Sequence, residues 1–117
     1  MDFTVEFFET RDGRYPVREF LDAMKQSDPG DFAAVVAGLT KLRDRRYHRE
    51  PLSKALGEGL LELRHVGHLN TRILWFFTKG RRVILVHGIR NKGRSLPSRD
   101  LATARMRMMD WFTRFPA

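Results

Sequence analysis

Four basic side chains stand where a phosphodiester can be gripped: Lys54, Arg64, Arg72 and Lys92. Arg64 lies in the alternating segment Leu60 to His65, on the side of Leu60 and Glu62 and opposite Leu61 and Leu63. Arg72 opens the segment Asn70 to Phe77, sharing a side with Leu74 and Phe76 and opposing Ile73, Trp75 and Phe77. A period of two places successive side chains on opposite faces of a strand. Gly67 marks a turn between the segments, and pairing in simple register brings Arg64 and Arg72 together on one face. Lys54 precedes the first strand, and Arg90, Lys92 and Arg94 leave the strand that ends near Ile89. Guanidinium groups grip phosphate bidentately, whereas ammonium groups act as point charges. Two arginines on stiff strands, with lysines at their edges, can therefore hold a phosphate in a fixed pose. The same pattern equally suits a solvent-facing charged strand, or local ion pairing of the Glu62–Arg64 kind.

Other chemistries lack their residues. No Walker-type phosphate loop, dinucleotide fingerprint or G-x-S-x-G elbow is present. His65 and His68 stand three apart without accompanying carboxylates, so they read as turn or surface histidines and no metal is expected. There is no cysteine, which removes disulfides and thiolate ligands and fits a reducing compartment. No cofactor is called for. His87 is a tempting proton acceptor, because imidazoles ordinarily titrate near neutrality. Alternation places it on the side of Val83, Leu85 and Ile89, however, and it reads as a packed, hydrogen-bonded histidine. Trp111, Phe112 and Phe115 read as core packing or a protein contact before base stacking.

Charge supports an anionic partner. Lys and Arg total 22 against 14 Asp and Glu, a net +8. The stretch Lys41, Arg43, Arg45, Arg46, His48, Arg49 places six basic residues in nine positions. Cations suit a helix C-terminus, but this many exceed that need. Arg43, Arg45, Arg46 and Arg49 are expected to meet nucleic-acid phosphates, joined by Arg90 and Arg94.

The elements that must position these groups follow from periodicity. Phe3, Val5 and Phe7 alternate as a strand, and Pro16 starts a helix carrying Val17, Phe20, Leu21 and Met24 on one face. Ser27 to Asp31 breaks it, and Phe32, Val35, Val36, Leu39 and Leu42 mark a second helix running to about Tyr47. Strands follow at Leu60 to His65, Asn70 to Phe77 and Arg82 to Ile89, then a basic loop from Asn91 to Ser98 and a last helix from about Leu101. The order β-α-α-β-β-β-α predicts one α+β domain over residues 1–117, with a mostly antiparallel sheet. The helix pair should cover one sheet face, leaving the other for a groove. The N-terminus shows no signal peptide, and no apolar run is long enough to cross a bilayer, so a cytoplasmic protein is expected.

Read together, these pieces resemble the phage-derived HigB-like branch of the RelE/ParE toxin superfamily. The likeness rests on Pro16-Val17-Arg18-Glu19-Phe20-Leu21, on Lys54 to Arg64, and on Thr71 to Phe76 with Arg72. It continues through Val83 to Ile89 with its His87-Gly88 pair, then Lys92, Pro97 and Ala104, and so spans nearly the whole chain. The resemblance implies a RelE-like fold and the toxin of a type II toxin–antitoxin system, a metal-independent endonuclease cutting mRNA on the ribosome. Arg64 and Arg72 would then neutralise the phosphate while Lys54 and Lys92 position the backbone, and the basic stretch would meet ribosomal RNA. A cognate helix-turn-helix antitoxin is implied as partner, beside the ribosome and mRNA. Two positions depart from the pattern: Asn91 stands where a first lysine is usual, and Leu96 replaces threonine before Pro97. Two other readings therefore stay open, a ParE-like gyrase inhibitor and a non-catalytic nucleic-acid-binding co-repressor.

Overall fold

A computed structural model describes residues 2–93 and 95–116. The chain runs β1 (Thr4–Phe7), α1 (Pro16–Ser27), α2 (Pro29–Lys41), a 3₁₀ turn (Arg45–Tyr47), β2 (Ser53–Gly57), β3 (Leu60–Val66), β4 (Asn70–Thr78), β5 (Arg82–Asn91) and α3 (Ser98–Arg114). The strands form one five-stranded sheet in the order β1-β5-β4-β3-β2. β2 to β5 pair antiparallel, and β1 joins the far edge parallel to β5. The α+β architecture and mostly antiparallel sheet are those expected from the sequence.

Two elements differ from expectation. Ser53–Gly57 forms an edge strand where none was anticipated, and Lys54 sits on it. Its sequence, SKALG, carries no apolar alternation, so cross-strand pairing with β3 and not its own pattern makes it a strand. The second helix also stops at Lys41, short of Tyr47. The Leu42 N–H turns back to Leu39 and Thr40, and the Asp44 carboxylate accepts the Arg46 N–H at 2.9 Å, opening a separate 3₁₀ turn. Leu42 is fully buried all the same, which is why it kept helical spacing in the sequence. The start of α2 follows its residues: Asp28 accepts the Asp31 N–H at 3.2 Å, with Pro29 in the first turn.

The sheet is sandwiched. On one face Val17, Leu21 and Met24 of α1 and Val35 and Leu39 of α2 pack on Leu63, Ile73, Trp75, Val83 and Leu85. On the other, Ala104 and Trp111 of α3, with Phe8, cover Leu60, Leu74, Phe76, Ile84, Val86 and Ile89. Strand β4 is buried on both faces from Thr71 to Phe76, which accounts for its nearly unbroken apolar run. Each such large side chain contributes about 1.5–3 kcal/mol when removed from water.

β5 contains a bulge that the alternation does not reveal. Leu74 pairs with His87 and Trp75 with Leu85, leaving Val86 as the extra residue. One inserted residue inverts all that follows. His87 and Ile89 consequently face α3, not the side of Val83 and Leu85 to which simple alternation assigns His87. Gly88 then turns toward α1, where a Cβ would lie 2.6 Å from the Phe20 ring. Gly88→Ala is expected to destabilise the fold by about 1–3 kcal/mol through overpacking; an unchanged chemical-denaturation midpoint would contradict this close approach.

Candidate functional site

Arg64 and Arg72 are direct partners in the β3–β4 register, on the sheet face that carries α3. The adjoining rung on this face aligns Lys54, Glu62, Leu74 and His87 across β2 to β5. The two arginines differ in surroundings. Arg64 is exposed and makes no ion pair among the described residues. Arg72 is only 1% exposed; its Nε lies 2.7 Å from Glu62 Oε1, and Nη1 donates to Asn91 Oδ1 at 3.4 Å. A guanidinium on a strand buried from both sides needs such partners, because an uncompensated internal charge costs several kcal/mol. Arg72 is thus enclosed beneath the surface that Arg64 presents, and the pair is not the two-pronged grip suggested by alternation.

The departures at Asn91 and Leu96 now have structural roles. The Asn91 amide oxygen accepts a hydrogen bond from Arg72, which a lysine cannot do. Leu96 packs against the apolar cluster beneath α3. Lys54 and Lys92 are both exposed, at the sheet edge and in the loop after β5. Asn70 Nδ2 donates to the Gly93 carbonyl at 3.0 Å, tying that loop to β4. Arg94 lies outside the described residues.

His87 is engaged through both ring nitrogens. Arg107 Nη1 stands 2.9 Å from Nδ1, and Asp100 Oδ1 stands 2.8 Å from Nε2. Arginine only donates, so Nδ1 accepts and the Nε2–H donates to Asp100, a tautomer assigned from the partners. Arg107 also donates to the Val86 carbonyl at 3.0 Å, and burial holds its guanidinium below the ordinary value. The histidine therefore fastens the bulge of β5 to α3.

Arg90, expected among the RNA contacts, faces the helix pair instead. It is clamped by Asp28 at 2.5 Å and Asp31 at 2.8 Å, and Asp31 also meets His65 Nε2 at 3.2 Å. Its position in β5 after the bulge sends it to that face, where the carboxylates of the α1–α2 junction pair with its Nη2. The Arg90 hydrogen bond holds the Asp31 carboxyl below its usual value, aided by His65 and opposed by burial.

The remaining arginines of the basic stretch lie past α2, on and around the 3₁₀ turn. That turn is anchored by His48, whose Nε2 donates to the Leu42 carbonyl at 2.5 Å. The His48 ring sits 4.7 Å from Phe3, 5.0 Å from Phe77 and 5.3 Å from Trp75. Arg46 pairs with Asp44 at 2.8 Å, and Arg43 makes a long contact with Asp2 at 3.5 Å. Arg45 and Arg49 are exposed. A depression of about 350 Å³ lies here, lined by Lys41, Arg46, Tyr47, Arg49, Pro51, Leu52 and Arg64. It joins Arg64 to the basic stretch, two features that the sequence shows only separately. Tyr47 is the lining residue that sequence reasoning passed over; an aromatic inside a run of cations was the available signal.

Among the described residues no group of three or more His, Asp or Glu side chains is placed to hold a metal ion, and no helix is long and apolar enough to cross a membrane. A family model described as "Phage derived protein Gp49-like (DUF891)" matches residues 19–109, a span that includes Lys54, Arg64, Arg72 and Lys92. No curated protein matches the chain.

Two outcomes are expected. Arg72→Ala should cost about 3–5 kcal/mol by stranding Glu62 inside the fold, while Arg64→Ala should shift stability by no more than about 0.5 kcal/mol; equal effects in denaturation would show that the two arginines do not differ in burial as described. The second concerns acid. Asp31 is depressed below its ordinary value of 3.8, so its ion pair contributes fully above that value and fades as pH falls through the depressed one. The stability of Asp31→Asn should accordingly fall less steeply below about pH 4 than that of the parent protein, as measured by thermal melts across that range.

Proposed function

The chain belongs to the phage-derived Gp49-like family, the HigB-like branch of the RelE/ParE toxin superfamily, and on that premise we propose that it cuts mRNA on the ribosome without a metal. The observation that carries the reading is Arg64: an exposed guanidinium on the interior strand β3, continuous with the basic depression and flanked by Lys54 one strand away. The reaction is attack of a ribose 2′-oxygen on the adjacent phosphorus, with loss of the 2′-OH proton and departure of the 5′-oxygen as that oxygen gains a proton. Negative charge grows on the phosphoryl oxygens at the transition state, and preorganised cations lower its energy.

Arg64 is the residue we assign to the phosphate. Lys54 and Lys92, both exposed, hold the flanking backbone. Arg72 acts as a positioning residue: through Glu62 and Asn91 it fixes β3 and the start of the loop that bears Lys92. Arg45 and Arg49, both exposed, supply contacts to RNA phosphates on the ribosome. As a toxin of this superfamily the protein has an antitoxin as its partner, which we take to be a helix-turn-helix protein.

The test is induced expression with mapping of new mRNA 5′ ends. Growth arrest with codon-phased cuts is expected. Arg64→Ala should slow cutting by about 10²–10³-fold at preserved stability, the usual loss for one preorganised contact. Arrest with intact mRNA and broken DNA would overturn the nuclease reading in favour of gyrase inhibition; no arrest and no cuts would leave a binding role.

A further inference from the structure

The depression beside the 3₁₀ turn is more than a charged surface. Its lining combines the Tyr47 ring, Pro51 and Leu52 with the cations Lys41, Arg46, Arg49 and Arg64. Lys41, Arg49 and Arg64 make no ion pair among the described residues, whereas Arg46 beside them is neutralised by Asp44. At about 350 Å³ the space matches the lower end of small-ligand sites, enough for one flat ring system. Lys41 Nζ stands 5.5 Å from the Tyr47 ring centroid and Arg46 Cζ 5.8 Å, the outer limit of cation–π range. Asp44 holds Arg46, whereas Lys41 makes no ion pair among the described residues and can give way to an incoming ring.

An aromatic and apolar lining interleaved with unpaired cations suits a ligand that is itself a flat body joined to anions. A nucleotide in single-stranded RNA is such a ligand, with a base for the aromatic ring and phosphates on either side for the cations. An acidic peptide satisfies the cations but leaves the tyrosine face unused. We infer that this depression is a nucleobase subsite, in which one unpaired RNA base stacks on Tyr47 while Lys41, Arg49 and Arg64 hold the adjoining phosphates. Arg64 borders both this subsite and the β3–β4 face, so the seated base neighbours the phosphate to be cut and the subsite helps to choose the sequence cut. The inference rests on the proposed action on mRNA.

The experiment uses the full chain and a 2′-O-methyl RNA bearing 2-aminopurine, which cannot be cut because its 2′-oxygen is blocked. Stacking on Tyr47 should quench the fluorophore on binding. Tyr47→Phe should retain the quenching. Tyr47→Ala and Tyr47→Leu should abolish it and weaken binding roughly tenfold, the scale of one lost stacked base; Tyr47→Leu keeps apolar bulk in case the alanine variant unfolds. Arg49→Ala should lower the salt dependence of binding by about one ion while leaving the quenching in place. Quenching that survives Tyr47→Leu, or polyglutamate bound with the same dependence on Tyr47, overturns the subsite. The two proposals separate cleanly. Codon-phased cutting that is unchanged by Tyr47→Leu, with quenching also unchanged, removes the subsite and leaves the nuclease. Tyr47-dependent quenching in a protein that cuts no mRNA in cells removes the nuclease and leaves the subsite.

Discussion

Strand β4 lies at the centre of the sheet with apolar layers on both faces, and a charged side chain on it must find its partner inside the protein. Arg72 is the sharpest instance. A guanidinium 1% exposed survives there because Glu62 approaches from the neighbouring strand and Asn91 from the far end of β5. The same demand ties β3, β4 and β5 together across neighbouring rungs and fixes where the loop after β5 begins. Arg64, directly opposite Arg72 in register, lies outside this enclosure and remains available to solvent and ligand. One buried ion pair thus separates an internal arginine from an exposed one, although both lie on the same face of adjacent strands.

The surplus of positive charge divides in the same way. Several arginines are consumed internally or locally: Arg82 pairs with Glu6 at 2.8 Å, Arg90 with Asp28 and Asp31, and Arg114 with Asp110 at 3.0 Å. Each such pair removes a cation from the pool that can meet phosphate. Of those left without an ion pair among the described residues, Lys41, Arg45, Arg49, Lys54 and Arg64 are exposed around the 3₁₀ turn and the β2–β3 edge. The His48 ring, wedged among Phe3, Trp75 and Phe77, holds that turn in place, so an aromatic cluster of the core indirectly sets the geometry of the basic surface.

The bulge in β5 shows how a single residue redistributes roles. It turns His87 toward α3, where Asp100 and Arg107 engage both its nitrogens, and it turns Arg90 toward the helix pair. Gly88, between them, has no side chain because α1 passes too close. A stretch that reads as part of the working surface is in large part the joint between the sheet and its two helical layers.

Periodicity and composition by themselves determined the α+β class, the order of most elements and the shared face and register of Arg64 and Arg72, while the family was legible only as a resemblance of ordered motifs, borne out by the family model over residues 19–109. They did so because a half-buried strand or helix writes its period into the spacing of apolar residues. The edge strand bearing Lys54 left no such trace, since pairing with β3 creates it. The end of α2 was hidden because Leu42 stays buried beyond the helix. Only tertiary structure decided that Arg72 is internal, that Arg90 and His87 are bound, and that Arg64 shares a depression with Tyr47 and Arg49. Burial, strand register after a bulge, and contacts between residues far apart in the chain are properties of the folded arrangement, and no local pattern encodes them.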